Sequence, residues 1–287
     1  MTEERDLPAA IRALPRRQVS RAVGALVRIP VPPWLLTPIL RVYARAYDAN
    51  LGEAAPPAGG YRSFLEFFTR RLQAGTRPIP EDESIVVSPA DGRVHAAGPV
   101  TAGRLLQAKG VDYALDELLG APEEARAFEG GTQLTVYLSP GDYHRFHWPV
   151  SGRIHTVRHL PGELWPVHVA AAATKRGLFA VNERVVASGE TTDGGAFAVV
   201  AVGALNVGSI RLAMHPVRTN RGAPAQVRTW SDLDLEVERG EEMGWFEMGS
   251  TLVVLLSPDA GTLDPLAPGS SLQVGDAVGR IRNSALS

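Results

Sequence analysis

Two histidines in a short aromatic segment are the first residues whose types and spacing suggest chemistry. His144 and His147 lie three residues apart within Tyr137–Pro149, after a Pro-Gly-Asp turn that argues against a long helix. Histidine exchanges protons near neutral pH, so the pair indicates acid–base work, although a single histidine is more often an ordinary polar loop residue. A zinc site is a weaker interpretation, because the chain has no cysteine and no other ligand group at recognised spacing.

A Gly-Ser-Thr bend in front of an apolar run is the second candidate. Gly249, Ser250 and Thr251 precede five consecutive apolar residues. A serine hydroxyl can attack the carbonyl of the preceding residue, where Gly249 offers little steric hindrance, and an Asp–His pair could activate it. The tripeptide alone is common in ordinary turns. The chain has no Gly-x-Ser-x-Gly elbow, phosphate loop or Gly-x-Gly-x-x-Gly motif to indicate another enzyme class.

Internal repeats single out a carboxylate. Pro89–His95 recurs as Pro149–His155, and Gly240–Phe246 recurs as Gly275–Ile281. The repeated proline, glycine, arginine and histidine indicate a turn that leads into a strand. Asp91 does not recur, because Ser151 takes its place, so the turn alone does not explain Asp91.

The elements that must position these residues are mainly short strands. Beyond residue 80 the chain carries β-branched runs separated by Gly, Pro and Asp. The clearest are Ile85–Val87, Leu134–Leu138, Ala198–Val202, Val207–Leu212 and Leu252–Leu256. The sequence predicts an α+β protein, with N-terminal amphipathic helices (1–80) on a β-rich, sandwich- or barrel-like domain (81–287) of glycine-turn hairpins. An apolar fraction of 45% is sufficient for a folded core.

One helix before the strands has a clear start. Ser63 and Glu66 form a capping box, and apolar residues follow at helical spacing as far as Leu72. Ala74-Gly75 is expected to end this helix. Pro78–Glu83 is then expected to be a linker.

The N-terminus is unusually basic. Leu7–Tyr47 has no acidic residue and seven arginines, namely Arg12, Arg16, Arg17, Arg21, Arg28, Arg41 and Arg45. The whole chain has a net charge of −2, which argues against a dedicated nucleic-acid binder. Two amphipathic segments here, one with Trp34, could lie at a membrane surface or pack on the rest of the protein. Neither is long enough to span a bilayer, and no signal peptide is apparent.

Together these motifs resemble one enzyme family, the bacterial membrane-associated phosphatidylserine decarboxylases. The resemblance runs from the N-terminal helices to about Leu256, and Met248 stands where many members carry leucine. Its most specific part is the Tyr137–Pro149 segment combined with the downstream Gly-Ser-Thr. The segments that carry it are Ser88–Gly92, Tyr137–Pro149, Asn182–Arg184, Val202–Ile210 and Met248–Thr251.

The resemblance implies an enzyme that makes its own cofactor. Asp91 would orient His147, His147 would deprotonate Ser250, and Ser250 would attack Gly249. The proenzyme would split into chains 1–249 and 250–287, leaving a pyruvoyl group at position 250, with no metal and no PLP. That group would form a Schiff base with phosphatidylserine and accept the electrons released with CO2, giving phosphatidylethanolamine. His144 would protonate the product carbon.

Further expectations follow from the resemblance. The two chains would stay together as a heterodimer, which could itself dimerise. The protein would bind the anionic cytoplasmic face of the cell membrane. With phosphatidylserine as substrate, the basic N-terminus favours the membrane interpretation. Arg145 and Arg184 are candidates for phosphate binding by charge, although a structural salt bridge is the simpler role for either alone.

Three other functions stay open on sequence grounds. One is a pyruvoyl decarboxylase of a soluble amino acid, which would leave the arginine-rich N-terminus without a purpose. Another is a membrane-bound scaffold without activity, which would have no use for Asp91, His144, His147 and Ser250 together. The third is a serine protease, in which Ser250 would remain serine.

Overall fold

The computed structural model describes residues 14–108, 111–205, 209–220 and 226–282, and its fold is α+β. Its α-helices are mostly short, and none of those described is long and apolar enough to cross a bilayer. They are α1 (Arg16–Leu26), α2 (Pro33–Ala46), α3 (Phe64–Phe68), α4 (Leu115–Leu119), α5 (Pro122–Ala125), α6 (Val169–Thr174) and α7 (Leu178–Val181).

The strands begin at the predicted Ile85–Val87. They are β1 (Ile85–Val87), β2 (Gly92–Pro99), β3 (Arg104–Ala108), β4 (Val111–Ala114), β5 (Thr132–Leu138), β6 (Arg145–His147), β7 (Gly152–Leu160), β8 (Arg184–Thr191), β9 (Ala196–Val202), β10 (Ile210–Leu212), β11 (Arg228–Trp230), β12 (Leu235–Val237), β13 (Glu242–Phe246), β14 (Ser250–Leu256), β15 (Gly261–Leu263), β16 (Ser271–Leu272) and β17 (Ala277–Ile281). The predicted strands Leu134–Leu138, Ala198–Val202 and Leu252–Leu256 fall within β5, β9 and β14. Of the predicted Val207–Leu212, only Ile210–Leu212 forms a strand, Ser209 precedes it, and Val207 and Gly208 lie outside the described residues.

A nine-stranded antiparallel sheet forms the centre of the molecule, in the order β11-β7-β8-β9-β14-β5-β2-β16, with β12 also paired to β7. Both of its faces are buried. Along β14, Leu252 and Val254 face one apolar cluster shared with the two three-stranded sheets, whereas Val253 and Leu255 face a second cluster with α4, α6 and α7. The alternation of strand side chains explains why β14 reads as a continuous apolar run.

The two halves of this architecture have matching strand pairings. One small sheet has the order β1-β17-β15 and the other β6-β13-β10. Val86 lies opposite Gly279 in the first, and Phe146 lies opposite Gly244 in the second. Strands β2 and β7 occupy corresponding places, each one strand in from opposite ends of the large sheet. The turn with Asp91, which precedes β2, therefore has a counterpart in the turn that precedes β7.

Helix α3 is shorter than its sequence pattern predicts. Ser63 caps it as expected, accepting a hydrogen bond from the backbone N–H of Glu66. The helix ends at Phe68, however, and does not continue to Ala74-Gly75. Phe67 and Phe68 are buried at its end, and Phe67 packs on Leu36 and Leu40 of α2, so packing rather than helical periodicity fixes this segment.

The Pro78–Glu83 segment packs against the β-rich region, which corrects its expected role as a free linker. Arg239 donates hydrogen bonds to the backbone oxygens of Pro80, Asp82 and Ile85. The side chain of Ile79 lies against both Gly240 and Gly275. The segment therefore holds two turns of the β-rich region together.

The N-terminal arginines divide into two groups. Arg16 pairs with Glu163, Arg17 binds the Gly162 carbonyl, and Arg28 pairs with Glu247. Within the described part of the chain, no partner contacts the side chains of the exposed Arg21, Arg41 and Arg45. Arg12 lies outside the described residues. The basic surface is thus smaller than the sequence count indicates.

Candidate active site

Ser250 lies at the start of β14, inside the large sheet. Its neighbours are Leu138 on β5 and, through Thr251, Val202 on β9. The Ser250 hydroxyl is fully buried and has no hydrogen-bond partner in the described part of the chain. An unsatisfied buried hydroxyl costs about 1–3 kcal/mol, which folding alone gives no reason to retain.

The backbone that leads into Ser250 is strained. Met248 has a φ of 93°, in the left-handed region that a residue with a side chain rarely adopts. Such a conformation costs about 1–3 kcal/mol and is typical of functional sites. Only the tertiary structure reveals this feature, because Met248 is an ordinary apolar residue in the sequence.

His144 is fully buried and has one free ring nitrogen. Its Nδ1 lies 2.8 Å from the Asp142 carbonyl oxygen, so Nδ1 carries the proton and donates it. Its Nε2 is buried without a partner among the described residues, and its ring lies 4.0 Å from that of Phe68. Burial lowers the pKa of His144 to about 3, opposed by the Asp142 hydrogen bond and assisted by Arg70. His144 is therefore neutral at pH 7, with a lone pair on Nε2.

His147 has partners on both ring nitrogens. Its Nδ1 donates to the Gly240 carbonyl at 2.8 Å, and its Nε2 lies 3.3 Å from the Tyr143 hydroxyl. Burial raises the pKa of Tyr143 to about 12, so this hydroxyl keeps its proton and donates it. Burial also lowers the pKa of His147, while the Gly240 hydrogen bond and the charges of Glu242 and Asp91 raise it.

Asp91 binds Arg77 rather than His147. Arg77 Nε donates to Asp91 at 3.0 Å, and the backbone N–H of Val274 donates to Asp91 at 2.9 Å. Across the described chain, no hydrogen bond or ion pair joins Asp91 to His147. The orienting role expected for Asp91 therefore has no direct contact behind it in this structure, and the charge of Asp91 is one of the smaller influences that raise the pKa of His147.

The two arginine candidates are already bound within the protein. Arg145 pairs with Glu242 at 2.7 Å, which is the structural salt bridge considered from sequence. Every guanidinium nitrogen of Arg184 donates to a backbone carbonyl, of Glu117, Leu118, Ala180 or Asn182. Burial lowers the pKa of Arg184 to about 10. The phosphate-binding role expected for Arg184 finds no support, because these carbonyls occupy its guanidinium.

A cavity of about 260 Å³ opens beside Gly249 and Ser250. Sequence reasoning missed several side chains in its wall, which come from α2, α3 and the loop before α6. They are Tyr43, Tyr47, Phe68 and His168. Tyrosines in an amphipathic segment are typical of an apolar helix face, so only the packing of α2 shows that the N-terminal region contributes to the cavity. In the residues that the structure describes, no cluster of His, Asp or Glu could hold a metal ion.

Comparisons with known proteins identify the family of this chain. The sequence model of the phosphatidylserine decarboxylase family matches residues 64–280. A phosphatidylserine decarboxylase proenzyme of Anaeromyxobacter sp. (strain K) is 47% identical, with 94% of this chain and 96% of the relative aligned. Proenzymes of the same name from Myxococcus xanthus (44% identical; 88% and 90% aligned) and Brevibacillus brevis (39%; 95% and 96%) are also similar.

These similarities define a class of enzyme, the decarboxylases that belong to the carboxy-lyases. Within it, the chain belongs to the phosphatidylserine decarboxylase family. The resemblance in the sequence motifs is thereby confirmed.

Proposed function

We propose that this protein is a proenzyme that cleaves itself between Gly249 and Ser250 and then decarboxylates phosphatidylserine to phosphatidylethanolamine. The observation that carries the proposal is the Ser250 hydroxyl, which is buried without a partner directly after the strained Met248 and beside a cavity. Ordinary serine hydrolysis is less well supported, because Ser250 lies inside a sheet rather than on an exposed turn.

Self-cleavage uses groups of this chain alone. The Ser250 oxygen attacks the Gly249 carbonyl carbon, and the amide becomes an ester. Loss of the α-proton of residue 250 then expels the Gly249 carboxylate and leaves a dehydroalanine. Addition of one water and loss of one ammonia convert that residue into a pyruvoyl group.

The residues around position 250 fit such a group, since the cavity beside it is largely apolar and bounded by aromatic rings. The group supplies an electron-poor carbonyl that condenses with the substrate amine and accepts the electron pair released with CO2. His144 handles protons here. Its Nε2, which has no partner among the described residues, would deliver a proton to carbon after CO2 leaves.

The family resemblance assigns Ser250 activation to His147 and Asp91, but one observation favours His144 for this step as well. Among the described residues, the His144 Nε2 and the Ser250 Oγ are both buried without partners, and Phe68, whose ring lies 4.0 Å from that of His144, lines the same cavity as Ser250. His147 would first have to give up its contact with Tyr143. We therefore carry both assignments into the experiment.

Intact mass under denaturing conditions tests the cleavage. The wild type should give two species, residues 1–249 and residues 250–287, and the smaller should be one ammonia lighter than simple hydrolysis after Gly249 would leave it. The wild type should also convert phosphatidylserine to phosphatidylethanolamine. The Ser250→Ala variant should stay full length. A wild type that also stays full length contradicts the proposal.

The histidine roles separate in the same assay. If His147 activates Ser250, His147→Ala should slow cleavage about 100-fold or more. His144→Ala should then still cleave yet lose decarboxylation. If His144→Ala blocks cleavage and His147→Ala does not, the two roles are exchanged.

The small chain should remain bound after cleavage, giving a heterodimer. Strand β14 belongs to residues 250–287 and pairs with β5 on one side and β9 on the other, both of chain 1–249. Strands β16 and β17 of the small chain also pair with the large one. Breaking one peptide bond leaves these hydrogen bonds in place. A further pairing of heterodimers stays a prediction.

We propose that α1 and α2 bind the membrane surface, at the cytoplasmic face. The outer side of this region exposes large apolar side chains, including Trp34 at 77%, and the unpaired Arg21, Arg41 and Arg45 lie on the same two helices. Apolar insertion together with arginine–phosphate attraction binds peripheral proteins. Tyr43 of α2 and Tyr47, the residue directly after this helix, line the cavity beside Ser250. A lipid bound at this surface would therefore lie close to the reaction.

Vesicle binding tests the surface. Arg41→Gln should weaken binding to phosphatidylserine-containing vesicles by about 1 kcal/mol, roughly fivefold, and salt should weaken the wild type. Trp34→Ser should weaken binding to neutral and anionic vesicles alike. Equal wild-type binding to both vesicle types contradicts the arginine contribution.

Two organisational predictions also belong to this proposal. We place the boundary between the helical region and the β-rich catalytic domain near residue 80. The corresponding glycine turns of the two halves are proposed to be related hairpins, supported by the positive φ that Gly240 and Gly275 share.

A further inference from the structure

A buried carboxylate stands two residues before the proposed cleavage site. Glu247 is 9% exposed, and its side chain lies between two arginines, Arg28 and Arg218. Arg28 follows α1, and Arg218 lies beyond β10. No catalytic step proposed above uses this carboxylate, and the sequence motifs did not single it out.

The Arg28–Glu247–Arg218 cluster fixes the chain on one side of the scissile bond. Arg218 donates to both carboxylate oxygens of Glu247, at 2.8 and 3.1 Å, and Arg28 donates to one of them. The backbone N–H of Glu247 donates to the Ser209 carbonyl at 2.8 Å. Burial raises the pKa of Glu247, but hydrogen bonds from the side chains of Ser209 and Arg218 and the positive charges of Arg28 and Arg218 outweigh it. The pKa of Glu247 therefore lies below its usual value, and the carboxylate stays ionised.

The other side of the scissile bond is fixed independently. Ser250 pairs with Leu138, and Thr251 pairs with Val202, so β14 is held on both edges from its first residues. Only Met248 and Gly249 connect the cluster to this strand. The left-handed backbone of Met248 lies within that two-residue connection.

We propose that the Arg28–Glu247–Arg218 cluster is a positioning device for self-cleavage, which holds Met248 in its strained conformation and so aligns the Gly249 carbonyl for attack by Ser250. Without the cluster, the segment before β14 can relax and the left-handed conformation is lost. This inference rests on the proposed function, because it concerns the rate of the cleavage proposed there.

The cluster also joins the surface helices to the reaction. Leu26 and Ile29 flank Arg28 and are 65% and 53% exposed, whereas Arg28 itself turns inward to Glu247. A single turn of chain after α1 therefore carries both the surface contact and the cleavage contact.

The test is a time course of cleavage in freshly synthesised precursor, followed by intact mass. Glu247→Gln should slow cleavage at least tenfold, and Arg28→Gln and Arg218→Gln should each slow it severalfold. Arg28→Lys, which keeps the charge, should recover most of the rate. Arg126→Gln removes an exposed ion pair with Glu123 and should cleave like the wild type.

A second control separates positioning from stability. Leu105 is buried in the second apolar cluster, so Leu105→Ala shows how much a loss of stability alone slows cleavage. The inference holds if Glu247→Gln cleaves more slowly than Leu105→Ala at equal or higher melting temperature. Wild-type cleavage by Glu247→Gln overturns the inference alone, whereas a wild type that does not cleave overturns the proposed function and this inference with it.

Discussion

Two turns of this molecule share one hydrogen-bonding frame, but only one of them carries a charge. The first turn is Ser88–Gly92, and the second is Trp148–Gly152. The Asp91 carboxylate accepts a hydrogen bond from the backbone N–H of Val274, and the Ser151 hydroxyl accepts one from that of Arg239. Either side chain therefore satisfies the turn.

The frame itself corresponds in detail. The Val87 N–H donates to the Pro149 carbonyl, and the His147 N–H donates to the Pro89 carbonyl. The Gly275 N–H likewise donates to Ser88, as the Gly240 N–H does to Trp148. Each turn thus braces the other, and this requires no charge.

The difference lies in what each half adds to the frame. The first half adds the Asp91–Arg77 ion pair and, at the end of β5, the Ser250 hydroxyl. In the second half, the residue beside the end of β8 is Gly195, whose backbone N–H donates to the Thr191 hydroxyl. Gly195 itself has no side-chain hydroxyl that could act as a nucleophile. The fold thus supplies the turn twice, whereas the candidate chemistry occurs once.

Replacing Asp91 with the serine of the other turn should have the largest effect. In Asp91→Ser, the serine can still accept the Val274 N–H. Arg77 keeps Glu53 but loses its second carboxylate partner, and His147 loses a nearby negative charge. We expect cleavage to slow about 100-fold or more, measured by intact mass over time.

The reverse exchange is the control. Ser151→Asp should keep cleavage within about threefold of the wild type, since a carboxylate can accept the same hydrogen bond from Arg239. Wild-type cleavage by Asp91→Ser would show that the carboxylate serves only the turn.

The paired glycines give the next largest effect. Gly275 and Gly240 both have positive φ, at 93° and 81°. A Cβ on Gly275 would lie 2.3 Å from the Pro78 carbonyl oxygen, which is backbone, whereas a Cβ on Gly240 would meet the Ile79 side chain at 2.6 Å. Gly275→Ala should cost about 3 kcal/mol and Gly240→Ala about 1–2 kcal/mol, measured by denaturant unfolding. Equal losses of stability would show that the two turns accommodate the added methyl group equally well.

The smallest expected effect concerns the histidines at corresponding places in β2 and β7. His95 is buried against the Val167 carbonyl, and desolvation lowers its pKa, with His168 adding to the shift. The unfolded chain therefore binds more protons than the folded one once the pH falls below about 6.5, so the free energy of unfolding decreases as the pH is lowered.

His95→Gln should flatten this fall between pH 7 and 5, as followed by melting temperature. His155→Gln is the matched control, because His155 is 44% exposed at its side chain. An unchanged slope in His95→Gln would show that other groups cause the acid sensitivity, among them the buried His144.

Much of the fold could be predicted because local patterns carry it. Around Ile85, Leu134 and Leu252, the pattern of apolar residues follows the faces that each strand buries. The capping box at Ser63 starts α3 as expected. The end of α3 could not be predicted, because the helix ends where its aromatic side chains pack against α2. That contact is not visible in the local sequence. Domain limits and the roles of the candidate site residues stay predictions.

The sequence by itself determined the family, the α+β class and the candidate residues, because motif spacing and side-chain type are properties of the chain alone. Tertiary structure alone decided which partners they have. It pairs Asp91 with Arg77 and places Glu247 between two arginines. Among the described residues, it leaves the Ser250 hydroxyl and the His144 Nε2 without partners. Such contacts join residues distant along the chain, and burial sets their charge states, so no local pattern encodes them.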